Sequence, residues 1–178
     1  MPSTAAARPR VTPDAPDLQS TLAKLQKGFE REPNPSLKTR LERLGALERM
    51  VLDHKDAIVD AIREDYGSRS AHETMIAEVF MVVEGIRYAK SNLRGWMKAD
   101  ARRVALTFMP ARAKVHYQPK GVVGVISPWN YPVNLALGPM TGALAAGNRV
   151  MLKPSELTPN TAALLKQLTE ATFAPDLV

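Results

Sequence analysis

Two short stretches put polar side chains where packing alone would want none. In GVVGVISPWNYPVNLALG, which starts at Gly121, an apolar run ends in Trp129 and Asn130, held between Pro128 and Pro132. In RVMLKPSE a second apolar run gives way to Lys153 and Glu156. The Asn130 carboxamide carries an NH2 that can donate to an oxygen gaining negative charge in a transition state. Such a donor, already oriented, contributes about 3–4 kcal/mol, or a hundred- to a thousandfold in rate. Orientation is what the prolines supply, since both restrict the backbone around the turn, and Trp129 can anchor it by packing. The same spacing also suits an Asn130 that caps the next helix or closes an Asx-turn. Lys153 and Glu156 offer three N–H donors and two acceptor oxygens, a set that matches the vicinal hydroxyls of a ribose. An acidic residue in that role disfavours a 2′-phosphate and tilts the choice toward NAD over NADP. Alternatively, KPSE is a helix-entry loop with a surface ion pair. No GxGxxG is present, because Gly138, Gly142 and Gly147 are spaced too widely, and there is no Walker loop.

Composition narrows the chemistry further. The chain has no cysteine, which removes disulfides, Cys-ligated metals and thiol nucleophiles from what these residues can do by themselves. His54, His72 and His116 fall in no metal-ligand spacing. The net charge is +6, and the excess sits in the second part: residues 101–178 hold eight Lys and Arg against three Asp and Glu. These cations, Arg102, Arg103, Arg112, Lys114 and Lys120 among them, are dispersed and lack the aromatic interleaving that base stacking needs, so they read as a solvated face and not as a nucleic-acid site. The uncharged interval from Gly121 to Asn148 is long enough to span a bilayer, yet Pro128, Pro132 and Pro139 cut it, and Asn130, Asn134 and Asn148 would need partners in lipid. The expectation is a cytoplasmic protein without a membrane span.

The elements that must position these residues follow from periodicity. Residues 1–16 contain four prolines and read as a flexible tail. Leu18, Leu22, Leu25 and Phe29 predict an amphipathic helix over 17–32. Ser36 opens a second, long helix that runs to Gly67. A third starts at Ser70 with a Ser70/Glu73 capping box, and Met75, Ile76, Val79, Phe80, Val83, Ile86, Leu93 and Trp96 form its core stripe. VALTFMP and AKVHYQP predict a β-hairpin over 101–120, in the second strand of which Val115 and Tyr117 alternate with polar residues. GVVGVIS predicts a strand buried on both faces. A helix follows from about Pro132, placed in its first turn, to Ala146 and is ended by Gly147; then come the strand RVMLKP and a helix from Thr161 to Phe173, capped by Thr158 with Pro159 at N1. Residues 121–178 therefore form a βαβα unit with a parallel sheet, the start of a doubly wound α/β domain preceded by helices over 17–100. In such sheets ligands gather beyond the carboxyl ends of the strands, where SPWNYP and KPSE both lie.

The continuous run PKGVVGVISPWNYPVNLALGPMTGALAAGNRVMLKPSELTP resembles the aldehyde dehydrogenase superfamily, and the tyrosine after PWN resembles the branch of fatty-aldehyde and coniferyl-aldehyde dehydrogenases. LRGWM and the helices before it are similar in layout, so the resemblance covers nearly everything after the tail. It implies an incomplete aldehyde dehydrogenase fold, with Asn130 as oxyanion donor and Lys153 and Glu156 on the adenosine ribose of NAD or NADP. It further implies Ile126, Ser127, Pro128 and Trp129 along the cofactor cleft, Tyr131 near the substrate tunnel, an aldehyde substrate, and a homodimer that uses the hairpin as its arm. The family's nucleophilic cysteine and general-base glutamate come after the matching region. The expectation is thus the N-terminal part of an enzyme, inactive by itself; the alternative is a truncated paralogue that acts as a subunit-interaction module. A sheet with two strands would leave an open edge and an uncovered apolar face.

Overall fold

A computed structural model describes residues 17–178, so the proposed tail over 1–16 lies outside the described residues. Helix α1, Leu18–Arg31, begins where the Asp17 carboxylate accepts from the amides of Gln19 and Ser20, and it buries Leu25 and Gly28. Ser36 caps α2, Leu37–Asp53, by accepting from the Thr39 amide at 3.1 Å. The expected single helix to Gly67 is in fact two. His54, with φ −116° and ψ 18°, breaks it, and its Nδ1–H donates to the Met50 carbonyl at 2.9 Å, which takes the acceptor that continued α-helix would use. The chain resumes as α3, Lys55–Tyr66, and stops at Gly67, whose φ of 72° needs a residue without Cβ strain.

The next helical stretch departs from its predicted register. Helix α4, Ala71–Thr74, runs into a π-helical segment, Met75–Phe80, and then into α5, Met81–Trp96. Ser70 makes no side-chain cap, and Glu73 pairs instead with Arg69 at 3.4 Å, so the capping box is absent. The wider π turn rotates the stripe. Thr74, Glu78, Val79, Val82, Val83, Ile86, Ala89 and Leu93 are buried, whereas Ile76, Phe80 and Trp96 of the expected core are largely exposed.

Strand β1, Asp100–Arg102, pairs antiparallel with β2, Ala113–Val115. VALTFMP is not the first strand of the hairpin; it forms the connection, with a 3₁₀ turn at Leu106–Phe108. Val115 and Tyr117 face solvent, so neither side of this ribbon is dry among the described residues.

The site rests on the last elements. Strand β3, Val122–Ile126, and β4, Arg149–Lys153, pair in parallel from Val122↔Arg149 to Ile126↔Lys153. Helix α6, Asn134–Ala146, joins them and buries Ala136, Leu137, Met140, Thr141, Ala143, Leu144 and Ala145. Its C-terminus closes on Gly147 in the left-handed region, and the Asn148 side-chain oxygen accepts from Lys120 and Gly121 amides, fixing the entry to β3. Two expectations fail here. Strand β3 is not buried on both faces, since Gly124 is exposed and Ile126 is 81% exposed. Pro132 lies before the first turn, and Pro139 sits inside an unbroken α6 on its exposed side.

Helix α7, Pro159–Thr172, packs on α3 and closes the core made by α2, α5 and α6. Thr158 stands at its N-cap but makes no side-chain cap; Asp65 of α3 reaches across and accepts from the Asn160 amide, the Thr161 amide and the Thr161 hydroxyl at 2.7–2.9 Å. A remote carboxylate both satisfies these donors and favours the positive helix end. Replacing Asp65 with Ala should lower stability by about 1–2 kcal/mol, read as a fall in the urea midpoint, and an unmoved midpoint would contradict this role.

Candidate functional site

The turn after β3 leaves from the carboxyl end of the sheet beside the end of β4, with the Ser127 amide donating to the Lys153 carbonyl at 3.1 Å. Both polar stretches therefore start from adjacent strand ends. Ser127 is buried, Ile126 and Pro128 are exposed, and Trp129 is half-exposed. Trp129 anchors the turn by leaning on Tyr66, with ring centroids 6.5 Å apart.

Asn130 is exposed. Its main-chain carbonyl accepts from Arg69 Nη1 at 2.8 Å, while among the described residues its side-chain amide makes no hydrogen bond. The Asx-turn and helix-cap alternatives for this side chain are therefore not what the fold uses. The first amides of α6 are satisfied instead by Glu78: Oε2 accepts from Val133 at 2.9 Å and from Asn134 at 2.8 Å. Asn134 adds a bond from its Nδ2 to the Ala77 carbonyl at 2.9 Å.

Arg69 ties these parts together. Its side chain is 6% exposed and its guanidinium lies between two rings, 5.0 Å from the centre of Tyr66 and 4.8 Å from that of Tyr131. Glu73 and Glu78 approach it at 3.4 and 3.6 Å. Tyr66 donates its hydroxyl to the Trp129 carbonyl. Burial raises the Tyr66 phenol above its ordinary pKa, which keeps that donor protonated. Tyr66, Ser68, Arg69, Glu73, Asn130 and Tyr131 line an open cleft of about 370 Å³.

Lys153 and Glu156 lie outside this cleft. They pair with each other at 2.6 Å on the surface, and this hydrogen bond from Lys153 holds the Glu156 carboxyl below the ordinary carboxylate range. Sequence reading singles out Asn130, Tyr131, Lys153 and Glu156, and no motif or spacing in it points to Tyr66 or Arg69. One signal was available for Glu78, a charged residue within an apolar stripe, which only a specific partner makes tolerable. Among the described residues there is no cluster suited to a metal ion. None of their helices is long and apolar enough to cross a membrane.

A parallel strand–helix–strand unit with its polar turns at the carboxyl ends of the strands belongs to the doubly wound α/β class. The chain is a member of the aldehyde dehydrogenase family, whose model matches residues 6–178. A probable coniferyl aldehyde dehydrogenase of Pseudomonas aeruginosa is 47% identical over 161 residues, 90% of this chain and 34% of that protein. The coniferyl aldehyde dehydrogenase of a Pseudomonas species is 42% identical over 159 residues, 89% of this chain and 33% of that protein. A solved structure of the substrate-bound state of Staphylococcus aureus AldH shares the fold with a TM-score of 0.87 at 28% identity, covering 92% of this chain and 35% of that one. The chain thus spans about a third of the length of the curated relatives it matches.

Glu78 offers a test of the site's foundation. Burial, the largest influence, pushes its carboxyl above the ordinary range, against the opposing pull of the Asn134 and Val133 amides and of Arg69. The folded state then holds this proton more tightly than the unfolded state, so the stabilisation is full below the ordinary carboxylate pKa and is lost as pH rises through the raised one. Glu78→Gln keeps an acceptor oxygen but cannot ionise. Urea unfolding at a series of pH values should show wild type losing stability relative to this variant across that window; parallel profiles would contradict the assignment.

Proposed function

We propose that this chain supplies the oxyanion donor and the adenosine-ribose site of an NAD(P)-dependent aldehyde dehydrogenase. The reaction is oxidation of an aldehyde, of the coniferyl or another aromatic or long-chain type, to the carboxylic acid. The observation that carries the reading is the state of Asn130: its main chain is held by Arg69 while its side-chain amide is exposed and, among the described residues, unengaged. Family membership and the names of the Pseudomonas relatives support the aldehyde as substrate.

In this reading the Asn130 NH2 donates to the carbonyl oxygen of the aldehyde as a nucleophile adds to its carbon and negative charge gathers on that oxygen. With its backbone held beforehand, the donor has only its side-chain torsions to settle at the moment of reaction. Tyr131, next along the turn and on the same cleft, borders the substrate. The chain has no cysteine, so a thiol nucleophile is not among its residues; we infer that these residues alone do not oxidise aldehydes.

The residues present fit the cofactor. The Lys153–Glu156 pair is exposed at the carboxyl end of β4 and offers donors and acceptors together, as a ribose diol requires. Glu156, ionised and acidic, favours NAD, with NADP the second choice. When bound, the dinucleotide accepts hydride from the substrate carbon. Ile126, Ser127, Pro128 and Trp129 would flank it, Ile126, Pro128 and Trp129 through exposed side chains and buried Ser127 through its backbone.

A homodimer built on the 101–120 arm, in a cytoplasmic protein, completes the proposal. The exposed Leu106, Phe108, Met109 and Tyr117 support an arm that docks on a partner subunit.

In the full protein that carries these residues, Asn130→Ala should lower kcat for aldehyde oxidation by about a hundred- to a thousandfold while the Kd for NAD stays near its starting value. An unchanged kcat would remove the oxyanion role. Glu156→Gln should shift the NAD to NADP preference in kcat/KM toward NADP, and a constant ratio would count against the ribose role.

A further inference from the structure

Beyond the restriction from Pro128 and Pro132, the turn that carries Asn130 is held by side chains from elsewhere in the chain. The Asn130 side-chain amide makes no hydrogen bond among the described residues, the helix start that follows is held by Glu78, and the two carbonyls before Tyr131 are taken by side chains from the chain's first half. Tyr66 donates to the Trp129 carbonyl, and Arg69 donates to the Asn130 carbonyl at 2.8 Å. The guanidinium cannot swing away, because the rings of Tyr66 and Tyr131 lie on it at 5.0 and 4.8 Å and Glu73 and Glu78 stand beside it. Two consecutive peptide planes are thereby fixed. Fixing the Trp129 and Asn130 carbonyls fixes the Cα–Cβ direction of Asn130, and with it the small set of rotamer positions its carboxamide can reach.

We propose that Tyr66 and Arg69 are positioning residues that aim the Asn130 amide by clamping the carbonyls of Trp129 and Asn130. This rests on the oxyanion reading of Asn130 given above. Neither side chain needs to touch the reacting atoms. Lysine cannot replace Arg69 in full: it keeps the charge but has no planar fork to lie between two rings and donate in a fixed direction. A misplacement of about 1 Å at a catalytic group can cost on the order of a hundredfold, so a loosened clamp should be visible in rate.

The test is a double-mutant cycle in the full protein that carries these residues, with kcat for aldehyde oxidation, KM for NAD and the thermal midpoint measured for each variant. Tyr66→Phe removes one donor while keeping the ring over Arg69, and Arg69→Lys keeps the charge beside Glu78, so both spare the packing that a truncation would lose. Each should lower kcat roughly ten- to a hundredfold with KM for NAD within about twofold. In an Asn130→Ala background the same changes should alter kcat by less than about twofold, because the group they aim is gone. Full additivity in that background, or no loss of kcat in the single variants, would overturn the clamp. If Asn130→Ala itself leaves kcat intact, the oxyanion reading fails and the clamp fails with it. Should Arg69→Lys not fold, Tyr66→Phe alone carries the cycle.

Discussion

Helix α6 begins inside the protein, and its first amides must find an acceptor there. A buried N–H left without one costs about 1–3 kcal/mol, and the start of a helix presents several. Glu78 meets this demand with a single oxygen that accepts from Val133 and Asn134. The solution has its own cost, because a carboxylate taken out of water loses several kcal/mol of solvation unless it is paired. Arg69 at 3.6 Å, the two amides and the helix end offset part of that cost, and burial still holds the carboxyl above its ordinary range. Where Glu78 sits therefore decides where α6 starts.

The start of α6 in turn fixes one end of the turn that carries Trp129, Asn130 and Tyr131. Strand β3 fixes the other, through a parallel ladder that continues to the Ser127 amide on Lys153. Between these two anchors Tyr66 and Arg69 hold the carbonyls of the turn. The buried carboxylate, the cation and the two tyrosines are thus one unit. The cation stands beside the acid, is covered by the rings, and donates to the turn. Its Nε is buried without a partner among the described residues, so the arrangement serves position more than complete satisfaction of every polar atom. The Lys153–Glu156 pair stands apart in character: it is on the surface, and its lowered carboxyl reflects a local contact with lysine.

What could be read from the sequence was what local rules govern. The cap at Ser36, the left-handed glycines Gly67 and Gly147, and the two apolar strands depend on a few neighbouring residues, and each lies where such rules put it. The break at His54 was hidden because it depends on a side chain competing for a backbone carbonyl. The π segment was hidden because a 3.6-residue stripe does not announce an extra residue in a turn, and this one turned Ile76 and Phe80 outward. Thr158 looked like the cap of α7, but Asp65 outcompetes it from another helix. In the same way the position of Asn130 between prolines is local, while the side chains that support the turn lie 55 to 63 positions before the groups they hold. No spacing rule connects residues that meet only through the fold.

The central claim is that a main chain held from one side leaves the Asn130 carboxamide free to meet a carbonyl oxygen on the other. A crystal structure of the full protein with a bound aldehyde or ketone analogue measures this directly. The account predicts Asn130 Nδ2 at about 3 Å from the carbonyl oxygen, with Arg69 still on the Asn130 main chain. A carbonyl oxygen held elsewhere, with the Asn130 amide folded back onto its own backbone, would contradict it.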